Sequence, residues 1–484
     1  MTNKNQNIRN SIWNIVDVVL YPVIFLAVLP FFSSRLGDQF FGVWMLLNSL
    51  LVAFQVFNFG LSTSTVKFVA LFKYRNQSQR IKIIINTNLS VSIILFVLST
   101  LLGAVISWGV KANDLFDLPS QLKDTAATAI QLTCIIIGLK FIEQIFLNAF
   151  KGLNRFDTYA LINGIIRFGT LSINLIQLYF YQSLIMMLII NLLITVIMLF
   201  IQFFLLKKNI SGFEINFFLR KKFLMETGQF GLLMWLQTVI VIMVLQIDKY
   251  VIITRWGLEA FGHYAIAATI FVNIHTVLSA CLTWLIPKLV RYRDQAEKSR
   301  GLYLVMRAFI TMLGITALSI FYLVHVPLFN IWIGAEKFDK IREYIRLFTI
   351  FEFSYLLIIA PPLYLNYSGQ IKKGTIIIYL ISLLNIAGIL SGYFLYNSIN
   401  GIIYGLIFST IIANIAVYAI MNSLIVHRSL FWELLIFLGI SICASIFVLT
   451  GNFIAQLSIL IAILFFLYLT FVKRDRFSLT TLFE

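Results

Sequence analysis

The sequence predicts an all-α polytopic membrane protein, and three observations support this fold class. Apolar residues make up 60% of the 484 residues and charged residues only 12%, about half the charge of a typical soluble domain. Apolar stretches of about 20 residues, which is long enough for a helix to cross a bilayer, follow one another along the chain. Lys and Arg alternate in number from one short loop to the next.

About 14 transmembrane helices are predicted, and they leave no stretch for a sizeable soluble domain. The polar N-terminus leads straight into the first span without a signal-peptide cleavage pattern, so the first span is expected to direct its own insertion. The predicted spans are 12–32, 41–62, 84–107, 126–149, 159–181, 184–206, 228–252, 262–286, 302–325, 346–366, 375–396, 402–425, 430–450 and 453–472.

The basic residues predict the orientation of these spans. Of the 37 Lys and Arg residues, 25 lie in the N-terminus and every second loop, nine in the other loops and three inside spans. The positive-inside rule therefore places both termini in the cytoplasm. The 326–345 segment is predicted to be an external loop of mixed charge. The net charge of +17 is attributed to loops that meet anionic lipid, and nucleic acid is not expected as a partner.

Two short motifs recur and predict an internal repeat. The pattern R-x-G-x-x-x-F-G occupies 35–42 and again 255–262, which gives an offset of 220. Gly152-Leu-Asn-Arg155 and Gly369-Gln-Ile-Lys372 give a second pair at an offset of 217. These matches predict two six-helix lobes related by a pseudo-two-fold repeat, with a substrate site at their interface. The expected division is 1–226, 227–428 and a third part, 429–484, that holds two extra C-terminal spans and a cytoplasmic tail.

Three cations fall inside predicted spans, namely Lys140, Arg167 and Arg307. An ionised side chain at the bilayer centre costs roughly 3 kcal/mol even on the insertion scale, so each is expected to face protein or a wet cavity. Lys140 has Glu143 at i+3, which predicts either a self-neutralising structural pair or a cationic site with a titratable partner. Arg307 is near a span end, where it either snorkels or faces the cavity.

Polar residues, some of them charged, form stripes on three of the predicted spans. The stripes in spans 1 and 2 predict either hydrogen bonds between helices or the lining of a cavity. Glu352 has apolar neighbours and is expected to carry a proton or to pair with a cation from the other lobe, whereas His275 is interpreted as an interior histidine. The stripes are Asn10, Asn14, Asp17 and Tyr21 in span 1, Asn48, Gln55 and Ser62 at heptad spacing in span 2, and Thr133, Lys140, Gln144 and Asn148 in span 4.

Motifs for soluble chemistry are missing from the sequence. It has no phosphate-binding loop, no HExxH and no paired CxxC, and its three cysteines are far apart inside apolar spans. No cofactor and no metal site are therefore expected. A membrane glycosyltransferase or glycan polymerase would need catalytic groups on larger extramembrane segments than these. The expected class is a transporter and not an enzyme.

Several segments resemble the polysaccharide transporter branch of the multidrug/oligosaccharidyl-lipid/polysaccharide (MOP) exporter superfamily, which includes O-antigen flippases of the Wzx type. The resemblance covers nearly the whole chain in layout. Position 67 often carries Arg in similar proteins, and Lys67 keeps the charge but loses the two-pronged phosphate grip. The matching segments are Arg35-Leu-Gly-Asp-Gln-Phe-Phe-Gly-Val-Trp44, Phe59-Gly-Leu-Ser-Thr-Ser-Thr-Val-Lys67-Phe-Val-Ala70, Lys151-Gly-Leu-Asn-Arg155, and Asn385 with Gly401-Ile-Ile-Tyr-Gly405.

The resemblance implies a flippase of the bacterial inner membrane. It implies that an undecaprenyl-pyrophosphate-linked oligosaccharide, such as an O-antigen repeat unit for lipopolysaccharide, moves from the cytoplasmic to the outer leaflet by alternating access. Membrane lipids and other polysaccharide assembly proteins are the expected partners. An ion-coupled drug/cation antiporter of the same fold and a peptidoglycan-precursor flippase stay open as alternatives.

A pyrophosphate headgroup needs cations to compensate for its desolvation. The residues expected to bind it are Lys67, Lys140, Arg167 and Arg307. Acidic residues are expected to modulate transport or to couple it to H⁺ or Na⁺, and these are Asp17, Glu143 and Glu352. The expected polar lining of the cavity is Asn14, Asn48, Gln55, Gln144 and Asn148.

Overall fold

The structure is a computed structural model that describes residues 2–58, 60–112, 120–217, 221–282 and 295–426, with scattered positions at 285–294 and 439–463. Side chains are described for fewer residues, which exclude 2–21, 23, 55, 58, 63, 120, 121 and 221–234. Every regular element in the described residues is helical. The chain divides into two compact units, Met1–Gly262 and His263–Glu484.

The first unit contains six helices and most of a seventh. Helix α1 breaks at Gly37 and α7 breaks at Gly257, so each consists of two arms. Helix α4 packs against α2, α3 and α6. The helices are α1 (Thr2–Ala53), followed by a 3₁₀ turn (Phe54–Asn58), α2 (Leu61–Tyr74), α3 (Ser78–Ala112), α4 (Ser120–Gly152), α5 (Phe156–Tyr181), α6 (Leu184–Asn209) and α7 (Lys221–Ala280), which ends in the second unit.

The second unit continues with five helices. Helix α12 packs against both α9 and α11. The helices are α8 (Ala296–Ile333), α9 (Ala335–Tyr355), a 3₁₀ turn (Leu356–Ile358), α10 (Ala360–Tyr367), α11 (Ile371–Tyr396) and α12 (Ile399–Met421), followed by a π-helical turn (Asn422–Val426).

The first twelve predicted spans all fall on these helices. Ten helical segments of the described chain are long and apolar enough to cross a membrane. Two of them, Ile24–Ala53 and Trp235–Ala280, continue across the breaks at Gly37 and Gly257 and so join predicted spans. Predicted spans 13 and 14 fall on residues that are described only at scattered positions. The all-α polytopic fold class is confirmed, with the count of 14 as an approximation.

The prediction of one continuous helix across 41–62 is wrong. The α-helix stops at Ala53, a 3₁₀ turn follows, and Gly60 has a left-handed φ of 70°. Because a helical stripe needs an unbroken helix, the predicted heptad stripe through positions 48, 55 and 62 does not run along one helix. The chain resumes as α2, so the cytoplasmic loop predicted after residue 62 is helical to Tyr74.

The predicted external loop 326–345 is also wrong. Helix α8 extends to Ile333 and α9 begins at Ala335, so one residue, Gly334, joins them at a φ of 85°. Glu336 lies in the first turn of α9, where an acidic side chain favours the positive end of the helix dipole. The mixed charges of this segment therefore lie in the first turns of α9 instead of a loop.

The internal repeat appears in the local geometry of both units, but in a shifted alignment. Helices α5 and α11 are both 26 residues long, and they begin at Phe156 and Ile371. Asn154 and Gly369, each two positions before its helix, both have positive φ. The equivalent turns therefore align Asn154 with Gly369, and the predicted alignment of Gly152 with Gly369 is wrong by two positions.

The ends of these helices repeat as well. Gln182 and Asn397 both close their helix in a left-handed conformation. The next residues, Ser183 and Ser398, both cap the following helix by accepting a hydrogen bond from the backbone N–H three residues later. Ser is a preferred N-cap because its hydroxyl satisfies such an otherwise unpaired donor. The same sequence chemistry therefore builds the same turn twice.

Candidate functional site

The clearest intramembrane ion pair joins Lys140 and Glu143 on α4. The Lys140 Nζ lies 2.8 Å from Oε1 and 2.9 Å from Oε2 of Glu143. The i,i+3 spacing brings both side chains to one face of the helix. The Glu143 side chain is only 6% exposed, whereas that of Lys140 is 31% exposed. The Glu143 side chain is therefore enclosed, whereas part of the Lys140 side chain lies outside the helix packing.

The remaining polar stripe of α4 is partly used for structure. Gln144 Oε1 accepts a hydrogen bond of 3.0 Å from the Ser62 hydroxyl on α2. Asn148 turns its amide back to the Gln144 carbonyl at 2.8 Å, and Asn48 does the same to Trp44 at 2.9 Å. Such bonds hold or stabilise helices inside a membrane. The interpretation of the span 2 stripe as interhelical hydrogen bonding thus applies to Ser62, which bonds Gln144.

Two other predicted cations lie in the first unit with Lys140. Lys67 lies inside α2 and not in a loop, and its side chain is exposed, with Nζ 5.4 Å from the Phe68 ring. Arg167 lies in the middle of α5 and is partly buried. Three of the four predicted substrate-binding cations therefore belong to helices of this unit.

The fourth cation, Arg307, lies in the second unit and is 4% exposed. Its guanidinium carbon is 5.8 Å from the ring centroid of Tyr418 on α12, a distance that permits a cation–π contact. A side chain that snorkels keeps its charged head in water. The burial of Arg307 is not compatible with snorkelling, so that interpretation is wrong.

A second contact between titratable side chains joins Glu352 on α9 to His275 on α7. Glu352 is 2% exposed, and its Oε1 lies 2.9 Å from His275 Nδ1. The other ring nitrogen, Nε2, lies 3.3 Å from the Ser279 hydroxyl one turn later. Tyr355 contacts the imidazole edge-on at 4.9 Å. The partner of Glu352 thus comes from the same predicted lobe and not from the other one.

His275 was interpreted from the sequence as an interior histidine and not as a functional candidate. Its partner is 77 positions away, and no periodic pattern connects residues on different helices. The one usable signal was Ser279 at i+4, which places a hydroxyl on the face of the histidine. The side chains of Asp17, Asn14 and Gln55 lie outside the described residues, so their predicted roles stay predictions.

Structural comparison places this fold among known membrane transporters. The lipid II flippase MurJ in an inward closed conformation matches with a TM-score of 0.68 and 15% identity, over 96% of this chain and 99% of that one. An inward-facing MATE-family multidrug transporter of the MOP superfamily matches at 0.65 and 15% identity, over 85% and 98%. A MOP transporter from Pyrococcus furiosus described as having reversed pocket polarity matches at 0.58 and 13% identity, over 87% and 96%.

The chain therefore has the fold that MATE transporters and the lipid II flippase share. No protein-family model and no curated protein sequence matches the chain. Because the sequence identities are so low, the comparison supports the fold and leaves the substrate to be argued from the chain's own residues. The arrangement that carries this argument is a set of cations held on helices of membrane-spanning length.

Proposed function

We propose that this protein is a flippase for an undecaprenyl-pyrophosphate-linked oligosaccharide, an O-antigen unit or a similar repeat unit of a surface polysaccharide. It moves this lipid from the cytoplasmic to the outer leaflet of the bacterial inner membrane by alternating access, with both termini in the cytoplasm. The observation that carries the proposal is the ion pair inside a span between the partly exposed side chain of Lys140 and the enclosed side chain of Glu143.

The depth of Lys140 favours an anionic substrate. It lies eleven positions before Lys151 at the end of α4, roughly 16 Å along the helix axis. A cation that far from the helix end needs a counter-charge, because an uncompensated buried charge is costly. Glu143 supplies the counter-charge when substrate is absent. A pyrophosphate can then bind the Lys140 ammonium on the side away from Glu143, through charge-assisted hydrogen bonds.

The other predicted cations are proposed to bind the same substrate. Arg307 is a buried guanidinium, the group best suited to pair with phosphate in two-pronged geometry. Lys67 and Arg167 add charge on α2 and α5. Glu143, Glu352 and Asp17 are proposed to modulate transport or to couple it to H⁺ or Na⁺. Membrane lipids and polysaccharide assembly proteins are the proposed partners.

A peptidoglycan-precursor flippase is the second candidate, favoured by one specific observation. The similarity to the lipid II flippase MurJ extends over nearly the full length of both chains, which supports a lipid-linked substrate of either kind. A drug/cation antiporter has the same fold, but its cationic cargo would be repelled by the cations assigned to this site. The lipid-linked anion is therefore the preferred substrate class.

The test is transport by the purified full-length protein in proteoliposomes, with three fluorescent substrates in parallel. These are a polyprenyl-pyrophosphate-linked oligosaccharide, a peptidoglycan precursor on the same lipid, and a lipophilic organic cation. The proposal expects the first to cross fastest and the third not to cross. Faster transport of the precursor would favour the second candidate, and transport of the organic cation alone would overturn the proposal.

Substitutions in cells test the assigned residues. Lys140→Ala and Arg167→Ala should each abolish surface glycan assembly while protein levels stay normal. Lys111→Ala is a matched control. Lys111 is an exposed cation at the end of α3, in a 3.0 Å ion pair with Asp124 near the start of α4. Full activity of both Ala variants would contradict the site assignment.

A further inference from the structure

His275 and Glu352 form a titratable pair. The proposed binding of an anionic headgroup does not involve this pair. The imidazole belongs to α7 and the carboxylate to α9, so the pair connects two helices. Glu352 is almost fully buried, whereas the His275 side chain is 29% exposed. Among the described contacts of the ring, Glu352, Tyr355 and Ser279 are the titratable or polar groups.

Charge balance shows what this pair can bind. With one proton, shared as imidazolium and carboxylate or as imidazole and carboxylic acid, the pair is neutral. Without it, the pair carries a net charge of −1 in a membrane-spanning segment, which is unfavourable. On binding, a hydronium ion gives its proton to the lone pair of His275 Nε2: one O–H bond breaks and one N–H bond forms, which leaves water. On release, the N–H bond breaks and the proton forms an O–H bond with water.

The ligand geometry favours a proton over a metal cation. Hard cations such as Ca²⁺ and Mg²⁺ take six or more oxygen ligands, and Na⁺ is a hard cation of the same kind. Glu352 offers its Oε1 directly to a ring nitrogen at 2.9 Å, a distance that leaves no space for an ion between them. Ser279, the neighbouring hydroxyl oxygen, faces the other ring nitrogen.

The two nitrogen atoms of His275 also have different surroundings, which suits exchange. Nδ1 faces the buried carboxylate, while Nε2 faces a hydroxyl that can both donate and accept a hydrogen bond. The histidine side chain is the more exposed member of the pair. A proton can therefore reach Nε2 while Glu352 stays enclosed and holds the ring orientation through Nδ1.

We propose that His275, Glu352 and Ser279 form a proton-binding site, at which one proton is exchanged for each transport cycle. This inference rests on the proposed flippase function and deepens it, because it names the coupling ion and assigns His275 as the exchange group. Glu352 positions the imidazole and balances its charge.

The main variant is the double substitution His275→Gln/Glu352→Gln. It removes both titratable groups but keeps two side chains that can hydrogen-bond, so neither a lone buried charge nor a lone buried donor is left. Thr276→Val is the control. Thr276 is an exposed neighbour on α7 that bonds its own helix, at 2.7 Å from the Val272 carbonyl.

Infrared difference spectroscopy of the full-length protein in lipid tests proton binding without any substrate. In spectra recorded at steps between about pH 5 and 9, the wild type and Thr276→Val should show pH-dependent imidazole and carboxyl bands that the double variant has lost. Identical spectra for the wild type and the double variant would overturn the proton site.

Transport in proteoliposomes tests coupling. A pH gradient should accelerate flipping by the wild type and by Thr276→Val, and this acceleration should be lost in the double variant. Acceleration by a sodium gradient alone would overturn the inference. If the infrared bands are present but no lipid-linked oligosaccharide crosses, the proposed function fails while the proton site stands, so the two failures are distinguishable.

Discussion

Gly37 and Gly257 occupy the same position of the repeated motif and hold nearly the same backbone conformation. Their φ angles are 73° and 80°, and their ψ angles are 161° and −179°. This region of conformational space is essentially restricted to glycine. Each residue is the first glycine of an R-x-G-x-x-x-F-G motif, so the motif marks the break between two helix arms. Gly42, the last residue of the first motif, has the Leu258 carbonyl oxygen 2.4 Å from where its Cβ would lie.

We predict that Gly37→Ala and Gly257→Ala each lower the free energy of unfolding by about 1–3 kcal/mol, the cost of such a backbone conformation in a residue with a Cβ. Steric clash contributes nothing, because no atom lies within 4 Å of the place that a Cβ would take at either residue. Thermal unfolding in detergent measures the change. Gly301→Ala is the control, since Gly301 is helical with equal space around it. Equal stability of all three variants would contradict the prediction.

The repeat shows what the sequence predicts well and what it does not. Helical spans follow from length and apolarity, because lipid requires every backbone group to be bonded within the segment. The Gly37 and Gly257 breaks follow from a motif. The 3₁₀ turn Phe54–Asn58 contains neither Gly nor Pro, which are the strongest signals of a break. The single-residue connection at Gly334 was hidden because the charged residues in the first turns of α9 look like a loop.

The candidate site was predictable only within one helix. Lys140 and Glu143 share a face at i+3, and the sequence therefore predicts their pairing. The partners of Gln144, Arg307 and Glu352 come from other helices. Which helices pack together depends on tertiary contacts, and a single sequence contains no pattern that specifies them.

The Lys140–Glu143 pair allows structure and transport to be separated. Lys140→Met alone leaves Glu143 buried without its cation, and we predict a loss of about 3 kcal/mol in the free energy of unfolding, the lower end for a broken buried pair. Lys140→Met/Glu143→Gln removes both charges and should restore most of that stability. Thermal unfolding measures both variants.

Transport by the same two variants should not follow stability. The double variant is expected to remain inactive in the proteoliposome assay, because it lacks the cation that meets the pyrophosphate. Activity regained together with stability would show that the pair is only structural.

Helices α11 and α12 approach so closely that their glycines cannot be replaced freely. A Cβ at Gly405 would lie 1.9 Å from the Gly388 carbonyl oxygen, and a Cβ at Gly392 would lie 2.1 Å from the Gly401 carbonyl oxygen. Small residues at such spacing let membrane helices pack backbone to backbone.

We predict that Gly405→Ala lowers the free energy of unfolding by about 1–3 kcal/mol, as overpacking does in a well-packed interior. Thermal unfolding is the measurement. Gly169→Ala is the control, because Gly169 lies in α5 and has no atom within 4 Å of the added group. Equal melting temperatures for the two variants would contradict the close approach.

Arg307 and Tyr418 provide a test of whether a buried cation serves packing or substrate binding. Tyr418→Phe keeps the aromatic ring under the guanidinium. We predict that its free energy of unfolding stays within about 1 kcal/mol of the wild type, the scale of one cation–π contact, and that its transport rate stays close to that of the wild type. Arg307→Lys keeps the charge but loses the planar fork that can hold phosphate with two bonds. If Arg307 binds the pyrophosphate, Arg307→Lys should raise the apparent KM for the lipid-linked oligosaccharide, while the melting temperature changes little. A variant that loses stability and keeps its KM would instead assign Arg307 to packing between α8 and α12.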